Sequence, residues 1–205
     1  RSMVHRVLII LLSMVVAGCA SKTPSDTGNI CKIFSEKRSW YPDAHKASRR
    51  WGTDISVMMA IIHQESSFKS RAKPRRKKIL GFIPGRRPAS SYGYAQAIDP
   101  TWRAYKKSTG RGGADRNDFD DAIDFVGWYN EQSQRRNNIS KSDAYNLYLA
   151  YHEGQGGFAK KTYRNKQWLL DVARKVARRS SMYRSQLDNC EARFKQGFFR
   201  RMLPF

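Results

Sequence analysis

Glu65 stands where a carboxyl group could work as an acid. It closes a segment whose apolar residues Ile55, Met58, Met59 and Ile62 follow the i, i+3, i+4, i+7 spacing of a buried helical face. The carbonyl end of a helix repels negative charge, and a partly buried site disfavours the ionised form. Both effects raise a carboxyl pKa toward neutrality, where a general acid works best. The same position suits a surface glutamate that merely ends a helix, so the surroundings must decide. A second carboxyl, Glu153, lies near the end of another helical segment. It is a candidate to activate water as a base, or a solvated residue by a helix end. The histidines are scattered and make no metal-ligand constellation.

The elements that would position these groups read as helices. One runs from about Pro42 to Trp51 and stops at Gly52. Thr53 or Asp54 caps the next, which ends at Glu65. Asp99 and Pro100 form a cap with proline at the first helical position, opening a helix with Trp102 and Tyr105 that stops near Gly110. Asp118 caps a helix bearing Phe119, Ala122, Ile123, Val126 and Tyr129 on one side. Ser140 and Asp143 resemble a capping box; the helix after them carries Leu147, Tyr148, Tyr151 and His152 and ends at Gly154. A last helix spans roughly 165–185. The fold class expected is all-α, compact, with at most a small hairpin. Between Lys69 and Ser90 the pattern fails: nine Lys or Arg, three Pro, two Gly and no acid. A loop that long inside a domain is usually functional, and Ile79, Leu80, Phe82 and Ile83 form an apolar island at its centre.

Three short motifs carry a family resemblance. His63, Gln64, Glu65, Ser66, Ser67 and Phe68 resemble the Glu-Ser motif of the lytic transglycosylases related to the soluble lytic transglycosylase. Ser91, Tyr92, Gly93, Tyr94, Ala95 and Gln96 resemble their second motif, Gly-Leu-Met-Gln. Ala150, Tyr151, His152, Glu153 and Gly154 resemble their third, Ala-Tyr-Asn-Ala-Gly. The order is right, and the resemblance covers about residues 40–180. It implies a lysozyme-like helical domain of the α+β lysozyme superfamily, a deep sugar-binding cleft, and no metal or organic cofactor. Glu65 would be the catalytic acid/base, and Tyr151 would hydrogen-bond and orient it. Ser91 would contact substrate, and Gly93, Tyr94, Ala95 and Gln96 would line the cleft, Gln96 binding sugar. Apart from the resemblance, ring faces suit sugars: Tyr92, Tyr94, Trp102, Trp128, Tyr129 and Tyr148 are candidates to stack, Tyr92 and Tyr94 first among them, and His152 is a candidate cleft residue. The reaction implied is cleavage of peptidoglycan between N-acetylmuramate and N-acetylglucosamine, ending in a 1,6-anhydro ring. Where the family has Leu-Met, this chain has Tyr94 and Ala95; where it has Asn and Ala, it has His152 and Glu153. Glu153 leaves a muramidase open, and the altered motifs leave a scaffold open.

The N-terminus points to export. Met3 to Arg6 give a short positive start, Val7 to Leu12 an apolar run, and Val16, Ala17 and Gly18 a small-residue approach to Cys19. The run is short for a membrane span. It resembles a lipoprotein signal over residues 1–18, with Cys19 as the lipidated residue and Ala20 favouring the outer membrane of the periplasm. Residues 19–30 read as a tether, 31–190 as the domain and 191–205 as a basic, aromatic tail. Cys31 and Cys190 remain, as a disulfide or as two free thiols; an oxidising compartment favours the bridge. Thirty-nine Lys and Arg against 17 Asp and Glu give a net charge of +22, which suits an anionic partner. Peptidoglycan glycan strands and a membrane reached through the lipid anchor both fit, and envelope protein complexes stay open. Nucleic acid is not expected, because no recognition motif accompanies the charge.

Overall fold

The computed structural model describes residues 22–74, 78–79, 83–84 and 90–202. The chain forms seven helices among them: α1 (Ile30–Glu36), α2 (Trp40–Trp51), α3 (Ile55–Ser66), α4 (Asp99–Thr109), α5 (Phe119–Asn137), α6 (Ala144–Ala159) and α7 (Gln167–Met202). A two-stranded antiparallel ribbon pairs β1 (Lys78–Ile79) with β2 (Ile83–Pro84), Ile79 opposite Ile83. The rest of the apolar island, the signal segment and Cys19 lie outside the described residues. No helix among those described is long and apolar enough to cross a membrane.

Helix α3 is the centre. Every residue from Ile55 to Ile62 is buried, so the helix is enclosed all round rather than along the single stripe its spacing suggests. Helices α7, α5 and α2 pack around it. Asp54 occupies its N-cap position but makes no cap bond; its carboxylate pairs with Arg184 of α7 instead. Asp118 and Asp143 cap α5 and α6 through their side chains, as their sequence positions imply. Asp99 does not cap α4: it is the first helical residue, and it ion-pairs with Arg116 at 2.8 Å. The regular part of α6 breaks at Gly154, whose φ of 78° is left-handed, and a further turn follows to Ala159.

Two polar ties hold the helices in register. Asp124 of α5 is buried and accepts from Trp51 Nε1 at 2.9 Å and the Tyr105 hydroxyl at 2.7 Å, with Arg50 and Arg111 beside it. The second tie fastens the N-terminus. Cys31 and Cys190 form a disulfide, Ile30 N donates to Gln186 at 2.9 Å, and the Tyr183 hydroxyl donates to the Thr27 carbonyl. The stretch read as a tether is therefore docked on α7 from about Thr27. The tail is not separate either: α7 continues to Met202, well past residue 185, because buried Tyr183, Leu187 and Cys190 keep its inner face covered.

The disulfide closes a separation of 159 residues. By the loop-entropy relation its loss should reduce stability by up to about 5 kcal/mol. Denaturant titration of Cys190→Ser against wild type, with and without reductant, should show a lower midpoint for the variant and for the reduced wild type. Coincident curves would contradict this.

Candidate active site

Glu65 sits in the last turn of α3 at the base of a cleft of about 480 Å³. Ser91, Gln96, Ile98 and Thr101 line it from the segment before and within α4, Phe125 and Tyr129 from α5, and Tyr151, His152, Glu153 and Gly154 from α6. Burial pushes the Glu65 carboxyl up to about 7, and a hydrogen bond donated by the Tyr148 hydroxyl offsets part of that rise. Position compounds burial, because the carboxyl lies at the negative end of its own helix. The group is thus an acid that holds its proton close to neutral pH.

The orienting phenol differs from the expected one. Tyr151 lies in the cleft with Glu65, but its hydroxyl donates to the Ala95 carbonyl at 2.6 Å. Tyr148, one turn earlier on α6, makes the bond to Glu65. Tyr151 instead fixes the second motif against α6, its ring set edge-on to Tyr129 at 5.0 Å. Burial, then the nearby Glu65 charge, hold the Tyr151 phenol well above its ordinary pKa. Sequence spacing puts both tyrosines on one helix face and cannot say which reaches the carboxyl.

The second motif forms a tight loop with Tyr92 bridged to Ala97. Gly93 is indispensable to it: φ is 78°, and a Cβ there would lie 1.9 Å from the Arg116 carbonyl oxygen. That carbonyl accepts from Tyr94 N at 3.1 Å, while the Arg116 guanidinium donates to the carbonyls of Ser90 at 2.9 Å and Ala97 at 2.8 Å. Arg116, which the sequence analysis did not single out, therefore clamps both ends of the loop. Gln96, with φ of 50°, spends its amide on the carbonyls of Ala72 and Gly93, both at 2.9 Å, leaving its side-chain oxygen as the group that can meet a ligand.

Four of the residues expected to bind substrate or line the cleft, Tyr92, Gly93, Tyr94 and Ala95, do not line it. Tyr94 is buried in an aromatic core, 5.6 Å from Trp40 and 5.7 Å from Phe119, which stack on each other. Its position after Gly93 turns the side chain inward. Tyr92 lies under Lys73 and Arg116, whose cations sit 5.3 and 5.5 Å from its ring. Gly93 is behind the loop, packed on Arg116. Ser91, Gln96 and His152 do line the cleft, and Ala95 is buried, contributing its carbonyl. Ala97, Ile98, Thr101 and Phe125 were not anticipated there. Thr101 lies on the first turn of the helix the second motif leads into, which is the one signal that could have found it.

Glu153 is not solvated. Its side chain is 4% exposed. Burial alone would raise its pKa, but hydrogen bonds from Lys166, Thr162 and His152 outweigh that and hold it at about 2. Both its oxygens accept from Lys166 at 2.8 Å. Such a carboxylate is a weak base with its lone pairs already engaged. Among the described residues no three His, Cys, Asp or Glu side chains gather as a metal ligand set.

A family model described as a transglycosylase SLT domain matches residues 7–190. Comparison with curated proteins and with solved structures gives no match.

The unfolded chain releases the Glu65 proton near 4.5 and the folded chain keeps it to about 7. Between those values folding takes up a proton, so stability falls as pH rises, by about 3 kcal/mol in total. Glu65→Gln should flatten that part of the stability–pH curve and be the more stable form at pH ~8. Urea titrations across the range measure it; parallel curves for both proteins would refute the raised pKa.

Proposed function

The chain belongs to the transglycosylase SLT domain family, and from that premise we propose that it is a peptidoglycan lytic transglycosylase with Glu65 as its single acid/base. The observation that carries this reading is one carboxyl, Glu65, at the end of a buried helix and facing a cleft whose other carboxylate, Glu153, is ion-paired with Lys166.

In this reading a glycan strand lies along the cleft with the bond between N-acetylmuramate and N-acetylglucosamine over Glu65. Glu65 gives its proton to the glycosidic oxygen as the C1–O bond breaks, and the N-acetylglucosamine leaves as an alcohol. The electron-poor C1 of the muramate is met by the oxygen of its own acetamido group. The Glu65 carboxylate, held by the Tyr148 hydroxyl, then takes the proton of the muramate C6 hydroxyl. That oxygen closes onto C1 as the acetamido oxygen leaves it, giving the 1,6-anhydro ring, restoring the acetamido group and returning the proton to Glu65. No water is consumed, so a second carboxylate of the kind two-carboxylate glycosidases need is not required. The ion-paired state of Glu153 favours this course over hydrolysis. The raised pKa favours an enzyme over a scaffold, because a scaffold has no use for a buried acid. The lipoprotein-like signal and Cys19 support attachment to the outer membrane, facing the periplasm.

Incubation with purified sacculi and mass spectrometry of the fragments should give 1,6-anhydromuramoyl ends. Glu65→Gln should lower the yield by roughly 10²–10⁴. Reducing ends would establish a hydrolase, and a digest equal to that of Glu65→Gln would establish a non-catalytic protein. The rate should fall as pH rises through about 7, where Glu65 loses its proton. Tyr148→Phe, which removes a bond favouring the anion, should move that limb to higher pH. Cys19→Ala should shift the full chain from the membrane to the soluble envelope fraction; an unchanged distribution would remove the lipid anchor.

A further inference from the structure

Trp168 is 55% exposed, the most open of the three large hydrophobic side chains that face solvent among the described residues. A tryptophan left that open is informative, since its indole loses more than any other side chain by staying in water. The other two are Ile98 and Met182. Ile98 lines the cleft. Trp168 does not, but its ring lies 5.1 Å from that of His152, nearly perpendicular, and His152 does line the cleft. The apolar surface of the cleft thus continues outward through His152 to an open indole.

The indole is held in place rather than loosely displayed. Two residues before it, Lys166 is bound to both Glu153 oxygens at 2.8 Å. One residue after it, Leu169 is fully buried. His152 is itself fixed by its Nδ1 contact to Glu153 at 3.1 Å. The ion pair, the histidine and the leucine together set the first turn of α7 against the cleft, so little ordering remains to be done when a ligand arrives.

We propose that Trp168 is an outer stacking platform for the glycan strand, taking the apolar face of a sugar ring beyond those held between Glu65 and His152. A pyranose presents axial C–H groups on its faces and hydroxyls around its rim, so a flat aromatic surface gains dispersion contact without removing the hydroxyls from water. This rests on the glycan-cleaving reading of the cleft, and it adds to that reading a preference for longer strands.

The test uses the full chain carrying Glu65→Gln, so that binding is measured without cleavage. Calorimetric titration with β-1,4-linked N-acetylglucosamine oligomers from dimer to hexamer gives affinity against length. Adding Trp168→Ala should weaken the longest oligomers by about tenfold and leave the dimer unchanged, while Trp168→Phe should keep most of the affinity. Equal affinity at every length, with or without Trp168, overturns the platform and leaves the catalytic reading standing. So does a loss confined to binding of anionic phospholipid vesicles, which would assign the indole to a lipid surface. Failure of the Glu65→Gln parent to bind any oligomer would overturn both readings.

Discussion

A carboxyl group at the carbonyl end of an enclosed helix is a poor anion, and the rest of the molecule depends on that fact. Helix α3 is buried from Ile55 to Ile62, and water reaches its last turn through the cleft. If α3 were an ordinary surface helix, Glu65 would be solvated, ionised and inert as an acid at neutral pH. The packing of α7, α5 and α2 around α3 is therefore both the core of the protein and the cause of the raised Glu65 pKa. Stability and chemistry draw here on the same buried surface, so a cavity opened beside α3 would disturb both.

The residues next to Glu65 store local strain. Ser67 and Phe68 both have left-handed backbones, with φ of 49° and 61°. Phe68 is fully buried against Trp40 and His63. A bulky residue in that conformation persists only where its surroundings over-determine it, at a cost of about 1–3 kcal/mol. The outcome is a sharp exit from α3 immediately after the acid, which turns the chain toward the second motif. There Gly93 and Arg116 meet too closely for any side chain to intervene. The two motifs are thus positioned by backbone geometry more than by contacts between their own side chains.

Much of this was legible in the sequence. The apolar spacing before Glu65, the stops at Gly52 and Gly110, and the caps at Asp118 and Asp143 all act through nearest neighbours, and they stand where local rules put them. What the sequence did not reveal depends on partners far along the chain. Tyr94 looked like a cleft residue because it sits in a motif, yet Trp40 and Phe119, both distant in sequence, draw it into the core. Tyr148 and Tyr151 are one turn apart on the same face, and only the placement of Ala95 decides which phenol is left for Glu65. Glu153, by sequence either a candidate base or a solvated residue at a helix end, is neither, because Lys166 lies across from it. The docking of Thr27 and Ile30 on α7 was hidden for the same reason: Tyr183 and Gln186 lie more than 150 residues away.

Helix α7 passes both functional ends of the molecule. Trp168, beside the cleft mouth, and Cys190, bonded to the N-terminal strap, are on the same rod. At 1.5 Å per residue they are about 33 Å apart along its axis. For a chain held by its N-terminus, the strap and the working groove therefore lie toward opposite ends of one rod, separated by about 33 Å along it. The same helix that closes the disulfide thus sets the distance between the two ends of the molecule, and that distance does not change while the helix stays folded.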